Sequence, residues 1–312
     1  MPSATEIKDQ VARESNFRSR LAVPAFAGGF LYLLSAIIIS GTLAGAPAVG
    51  LLQGLGPALS GVANPAVSPR TPEVKYISHH AFALIAGSAL AAIAIIILTL
   101  VLLSLLDATR FRRPQTWPAA RPLVLFGGIA VALVSVGHQI ASAIETHNFV
   151  VGHNHSNQQV EHALTTGTAN TIADYVDLLA GLALAAGMIA TMINALRVGL
   201  LPRWMAFLGM FTALLIFLPI GGAELQLVPA FWLVMMGILY MGRWPKGEPP
   251  AWAAGEARPW PSQAQLRAEA QARNGRLSPS AAAAGATPAP TPAPAPVPGS
   301  SRKRRRKRGG GT

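Results

Sequence analysis

Cysteine is absent from this chain of 312 residues, which excludes disulfides, thiolate metal centres and a cysteine nucleophile, and leaves every exposed loop to be ordered by packing alone. Acidic residues are scarce, with 13 Asp plus Glu against 25 Lys plus Arg. The spacings that carry known hydrolytic mechanisms are missing too: no H-E-x-x-H, H-x-x-x-H or G-x-S-x-G occurs. Formal charge is also absent from six apolar stretches, Leu21–Leu43, Ala81–Leu106, Pro122–Ile144, Leu178–Leu196, Trp204–Ile220 and Leu225–Gly242. Each can lie in hydrocarbon roughly 30 Å thick without burying an ionised side chain. The pattern predicts an all-α protein, a six-helix transmembrane bundle with a disordered cytoplasmic C-terminal tail. The lack of intramembrane Asp, Glu, Lys or Arg argues against ion-coupled transport, which ordinarily places such groups near the bilayer midplane.

The cations that are present fall in alternate connections. Lys8, Arg13, Arg18 and Arg20 precede the first stretch; Arg110, Arg112, Arg113 and Arg121 lie between the second and third; Arg197 and Arg203 lie between the fourth and fifth. Thirteen more follow the last stretch, and only Arg70 and Lys75 fall in the other set of loops. Because Lys and Arg in short loops are retained on the cytoplasmic side, this split predicts an even number of spans with both termini cytoplasmic. Trp117, Trp204 and Trp244 then sit at the inner interface. The heavy use of Ala, Gly, Pro and Arg is associated with bacterial genomes, pointing to a plasma membrane. The first stretch, 23 residues from Leu21 to Leu43, is too long for a signal-peptide core of roughly 7–15 residues and reads as an uncleaved helix.

Averaged composition conceals two materials. Residues 1–20 form a cytoplasmic N-terminal segment, residues 21–243 the transmembrane domain and residues 244–312 a Pro/Ala-rich basic tail. Much of the net charge of +12 comes from that tail. Ser262–Arg276 can form a short helix, and Ser278–Ser301 is too poor in bulky apolar groups to offset chain entropy. The final run Arg302, Lys303, Arg304, Arg305, Arg306, Lys307 and Arg308 suits anionic lipids of the inner leaflet, or the phosphates of nucleic acid.

All seven histidines map to the opposite side. His79 and His80 lie at the mouth of the second span, His138 near the end of the third, and His147, His153, His155 and His162 in the loop from Glu145 to Ala173, which has no Lys or Arg. His138, Ser142 and Glu145 share a face at i, i+4, i+7, and Asn170, Asp174 and Asp177 do the same if helix begins that early. With His79 or His80 added, His138, Glu145 and Asp177 become candidate ligands for a divalent metal ion, since imidazole and carboxylate suit Zn²⁺, Ni²⁺, Cu²⁺ or Mn²⁺. Simpler roles compete: solvated loop histidines, a His138 bonded to Gln139 or Ser142, and acids placed at a helix N-terminus. Titration of the cluster between about pH 5 and 7 would make the outer face pH-responsive. In the first outer loop, Leu51, Leu52, Leu55, Leu59 and Val62 share a helical face, against the helix-weakening Gly54, Gly56 and Pro57.

Small residues recur four apart, Gly87 with Ala91, Gly128 with Ala132, Ala183 with Gly187, marking helix contacts within the bundle or between copies in a homo-oligomer. The run Arg197-Val198-Gly199-Leu200-Leu201-Pro202-Arg203-Trp204 is similar to the cytoplasmic turn of a broad group of uncharacterised bacterial multi-pass membrane proteins. In that group a basic residue, Gly-Leu, an aliphatic residue and Pro-Arg-Trp precede a Gly-containing span, which Gly209 matches. The likeness covers Asp174 to Ile220 and implies a fold layout without an activity. Function is accordingly expected to be that of a non-enzymatic scaffold or sensor with a His-rich outer face. The alternatives are a small-solute or divalent-metal transporter, and a metal-dependent membrane hydrolase using His138, Glu145 and Asp177.

Overall fold

A computed structural model describes residues 3–260, apart from scattered positions between 51 and 66, residue 153, residues 219–225 and residue 246, together with a few positions between 264 and 272. The described chain is helical, with one isolated bridge between Val67 and His155. Its principal helices are α1 (Ala4–Ala44), α2 (Thr71–His79), α3 (Ala81–Arg112), α4 (Ala120–Val151), α5 (Asn157–Glu161), α6 (Thr168–Val198), α7 (Arg203–Phe217), α8 (Leu227–Tyr240) and α9 (Pro250–Ala254); a π turn, His162–Thr166, joins α5 to α6.

Local chemistry fixes the ends. Ser3 and Glu6 form a capping box at the start of α1, the Ser3 amide donating to the Glu6 carboxylate and the Glu6 amide to the Ser3 hydroxyl. α6 stops at Gly199, whose φ of 80° is the left-handed conformation that glycine adopts without steric penalty, and the Leu200 amide turns back to the Ala195 carbonyl. Pro202 then precedes α7, as its fixed φ and missing N–H favour.

Four segments are long and apolar enough to cross a membrane: Ala4–Ala44, Ala81–Arg112, Ala120–Val151 and Asn157–Val198. α7 and α8 are apolar but have 15 and 14 residues, about 22 and 21 Å at 1.5 Å per residue. The predicted fifth and sixth spans meet at residues 219–225, outside the described positions.

The six large helices close a ring in the order α1, α3, α4, α6, α7, α8, with α3 and α6 also touching across the middle. Glycines permit the tightest approaches. A Cβ on Gly187 would lie 2.7 Å from a Val124 methyl and 2.9 Å from its backbone nitrogen, and one on Gly128 would overlap Thr99, so the small-residue positions serve contacts inside the bundle. Leu98, Leu102, Leu105, Leu184, Met188 and Met192 fill the half of the ring nearer the arginines, all of them buried.

The boundary of the tail at residue 243 is corrected by the packing of the next seventeen residues. Trp252 is buried, with its indole N–H donating to the Leu200 carbonyl at 2.9 Å; Trp260 donates to Leu201 at 2.8 Å, and the Arg258 amide to Val198 at 3.0 Å. The turn ending α6 exposes carbonyls that helix geometry cannot satisfy, and this segment supplies their donors. Trp244 stacks on Trp204 with centroids 5.7 Å apart. Chain from Met1 to Trp260 is one compact unit. Beyond it, the described positions Ala264, Gln265, Arg267, Ala268, Gln271 and Ala272 are helical, in keeping with the expected short helix; residues 273–312, including Arg302–Arg308, lie outside the described residues. Of the apolar face in the first outer loop only Leu59 is described, helical and exposed.

Candidate functional site

At the His-bearing end the interior of the ring is not filled by side chains. All six large helices surround a cavity of about 380 Å³. α1 contributes Tyr32 and Ser35, α3 contributes Ser88 and Ile95, α4 contributes Val131, Ser135, His138 and Gln139, and α6 contributes Asp174 and Asp177. Tyr32, Ile95 and Val131 fall near the middle of their apolar stretches, so the cavity reaches about halfway along the bundle. Below it lie the packed leucines and methionines.

α6 begins at Thr168 and α4 continues to Val151, both further into the loop than the apolar stretches alone predict. That extension makes Asp174 and Asp177 helical neighbours at i, i+3 facing α4. His138 Nδ1 lies 3.4 Å from Asp174 Oδ1, with the imidazole about one-third exposed and the carboxylate about two-thirds. Asp177 sits one turn deeper. Ser88 and Ser135 bond back to the carbonyls of Ile85 and Ala132. Ser35 is 98% buried and lies on the same wall.

The five predicted metal ligands are not brought together. His138 and Asp177 line the cavity. Glu145 faces His162 instead, with 3.6 Å between Oε2 and Nδ1, in a separate recess that also involves Asn148 and Phe149. Residues seven apart on one helix share a face but are separated along the axis by about 10 Å, too far for one ion to bridge. His80 points its Nδ1 at the Tyr76 carbonyl, 2.9 Å away, and stacks on the Tyr76 ring; His79 is exposed on α2. Among the described residues no three of His, Asp and Glu are grouped to hold a metal ion. His147 lines a small recess with Ala81, His155 packs on Phe149, and His153 is outside the described residues.

Tyr32, Ser35, Ser88 and Ser135 join the cavity without having been candidates from the sequence, and Gln139 was expected only as a neighbour of His138. Their signal was nevertheless present, since each is a polar side chain in the His-bearing half of an otherwise apolar stretch, where an unpaired polar group is costly unless it lines a cavity or finds a partner.

A second polar cluster lies at the opposite end. Arg112, with a fully buried side chain, grips Glu14 in a two-pronged pair, Nη1 to Oε1 at 2.9 Å and Nη2 to Oε2 at 2.8 Å. It also donates to the carbonyls of Ala108 and Ala251. Arg18 pairs with Glu248 and lies 4.3 Å from the centre of the Trp252 ring, against whose edge Tyr240 packs. In the sequence Arg112 and Arg18 are distinguished only as loop cations. Comparisons with protein-family models, with curated proteins and with solved structures gave no match.

Proposed function

We propose that this chain is a six-span protein of the bacterial plasma membrane with both termini cytoplasmic, acting as a non-enzymatic sensor that receives a small solute from outside the cell. Support for six spans comes from the closed ring, in which α7 and α8 stand beside the four long helices, and from the 23-to-2 division of cations, which favours an even number of crossings. With the arginine-bearing end inside, the cavity opens outward.

The observation that carries the sensor reading is the cavity itself: polar at its mouth, halfway deep, and shut below by a packed apolar core. α1 offers a route for the signal. It lines the cavity through Tyr32 and Ser35 and, beyond Pro24, holds Arg112 through Glu14. A solute that displaces α1 at one end acts on the buried ion pair at the other, with Pro24 removing one backbone hydrogen bond from the continuous helix between them.

Transport is the second reading, favoured by the same depth, because carriers bind their substrates near the bilayer midplane. Cysteine accessibility separates the two, since the parent chain has no cysteine. A sensor predicts that Ser135→Cys is modified by impermeant reagents from outside, while Leu98→Cys, beneath the cavity, is modified from neither side. Modification of Leu98→Cys from the cytoplasm would show alternating access and replace the sensor with a carrier. An unreactive Ser135→Cys would remove both.

A further inference from the structure

We propose that the solute is a small organic cation, an ammonium whose charged head sits between Asp174 and Asp177 and whose alkyl portion lies deeper, against Ile95 and Val131. This inference rests on the solute-binding reading above. Charge is the first argument. Two carboxylates and one imidazole line the cavity and no Lys or Arg does, so the wall is net negative even when His138 is protonated. Such a wall concentrates cations and repels anions. A neutral solute would draw the carboxylates out of water with nothing to balance them.

Size and ligand count decide against an inorganic ion. Among the described residues no three acidic or imidazole groups converge, and a volume of about 380 Å³ is that of a cavity for a polyatomic molecule. The polarity is graded in the same sense. Carboxylates occupy the mouth, while Ile95 and Val131 give the deeper part an apolar wall. Ser35, buried on the cavity wall, offers a hydroxyl to a polar substituent on the alkyl portion. An amphiphilic cation satisfies all three features together: charge at the acids, hydrocarbon at the aliphatic wall, and one polar atom at Ser35.

The test uses the full-length protein carrying Ser135→Cys, with Gln158→Cys as an exposed reference on α5. Modification rates are compared for a trimethylammonium-bearing methanethiosulfonate and its sulfonate-bearing counterpart, each normalised to the reference site. The cationic reagent is expected to be favoured by about tenfold or more at Ser135→Cys, the ratio a difference of roughly 1.4 kcal/mol in local potential produces. Asp174→Asn with Asp177→Asn is expected to bring that ratio to about one. Equal rates in the parent, or a preference for the anion, would overturn the cation while leaving an open cavity. A preference that persists in the double Asn variant would overturn the assignment to these carboxylates. If neither reagent reaches Ser135→Cys, the solute-binding reading falls together with this one.

Discussion

Removing the Glu14 carboxylate would leave the Arg112 guanidinium buried with carbonyl partners alone. An uncompensated buried charge typically costs about 3–5 kcal/mol, so Glu14→Ala is expected to lower the melting temperature in detergent sharply. Replacing both partners with apolar residues, Glu14→Leu with Arg112→Met, should recover much of that loss, because the desolvation penalty disappears with the charges. A double variant as unstable as Glu14→Ala would argue against a charge-burial origin. Trp252 makes a related case. Truncating a buried Trp costs about 3–5 kcal/mol, and Trp252→Ala also strips the Leu200 carbonyl of its donor and Arg18 of the ring beneath it. Thermal unfolding of Trp252→Ala against Trp117→Ala, an exposed indole, checks this; only the former is expected to destabilise.

Between α4 and α6 the side chains are small because the backbones are close. Gly187→Leu would drive a branched side chain into Val124 and the Ala120 carbonyl, and overpacking of this kind costs about 1–3 kcal/mol or more. Loss of the folded species on size exclusion is the expected readout, whereas Gly137→Leu, with open space where its Cβ would stand, should be tolerated. The segment following α8 gives a second element-level expectation. A chain ending after Trp260 should melt like the full-length protein, and one ending after Glu248 should melt lower, because only the second loses the indole donors to Leu200 and Leu201. Equal melting of the two would show that residues 249–260 contribute nothing to the bundle. Composition concealed this segment: its Pro, Ala and Gly look like those of the tail beyond it, and its two tryptophans acquire meaning only against carbonyls left open by a turn some fifty residues earlier.

Across the whole molecule the membrane orientation is open to a direct check. Gln115→Cys, between α3 and α4, is expected to be shielded from impermeant reagents in intact cells, and Gln158→Cys to react; the reverse pattern would invert the protein and turn the cavity toward the cytoplasm. Much of this architecture was legible in the order of residues. Uncharged runs prefer hydrocarbon whatever surrounds them, so helix positions from Leu21 to Leu196 followed from local composition, as did the Gly199 and Pro202 punctuation of the α6–α7 turn. His138 and Asp177 were recognisable as polar groups on the faces of long helices. Which groups meet was decided only by the tertiary structure. Sequence spacing gives the angle of a residue around its own helix but neither its depth relative to residues on other helices nor the identity of the helix it faces. For that reason Glu145 turned to His162 rather than to a shared ion, Ser35 and Tyr32 joined the cavity unannounced, and Glu14 found Arg112 across 98 residues of chain.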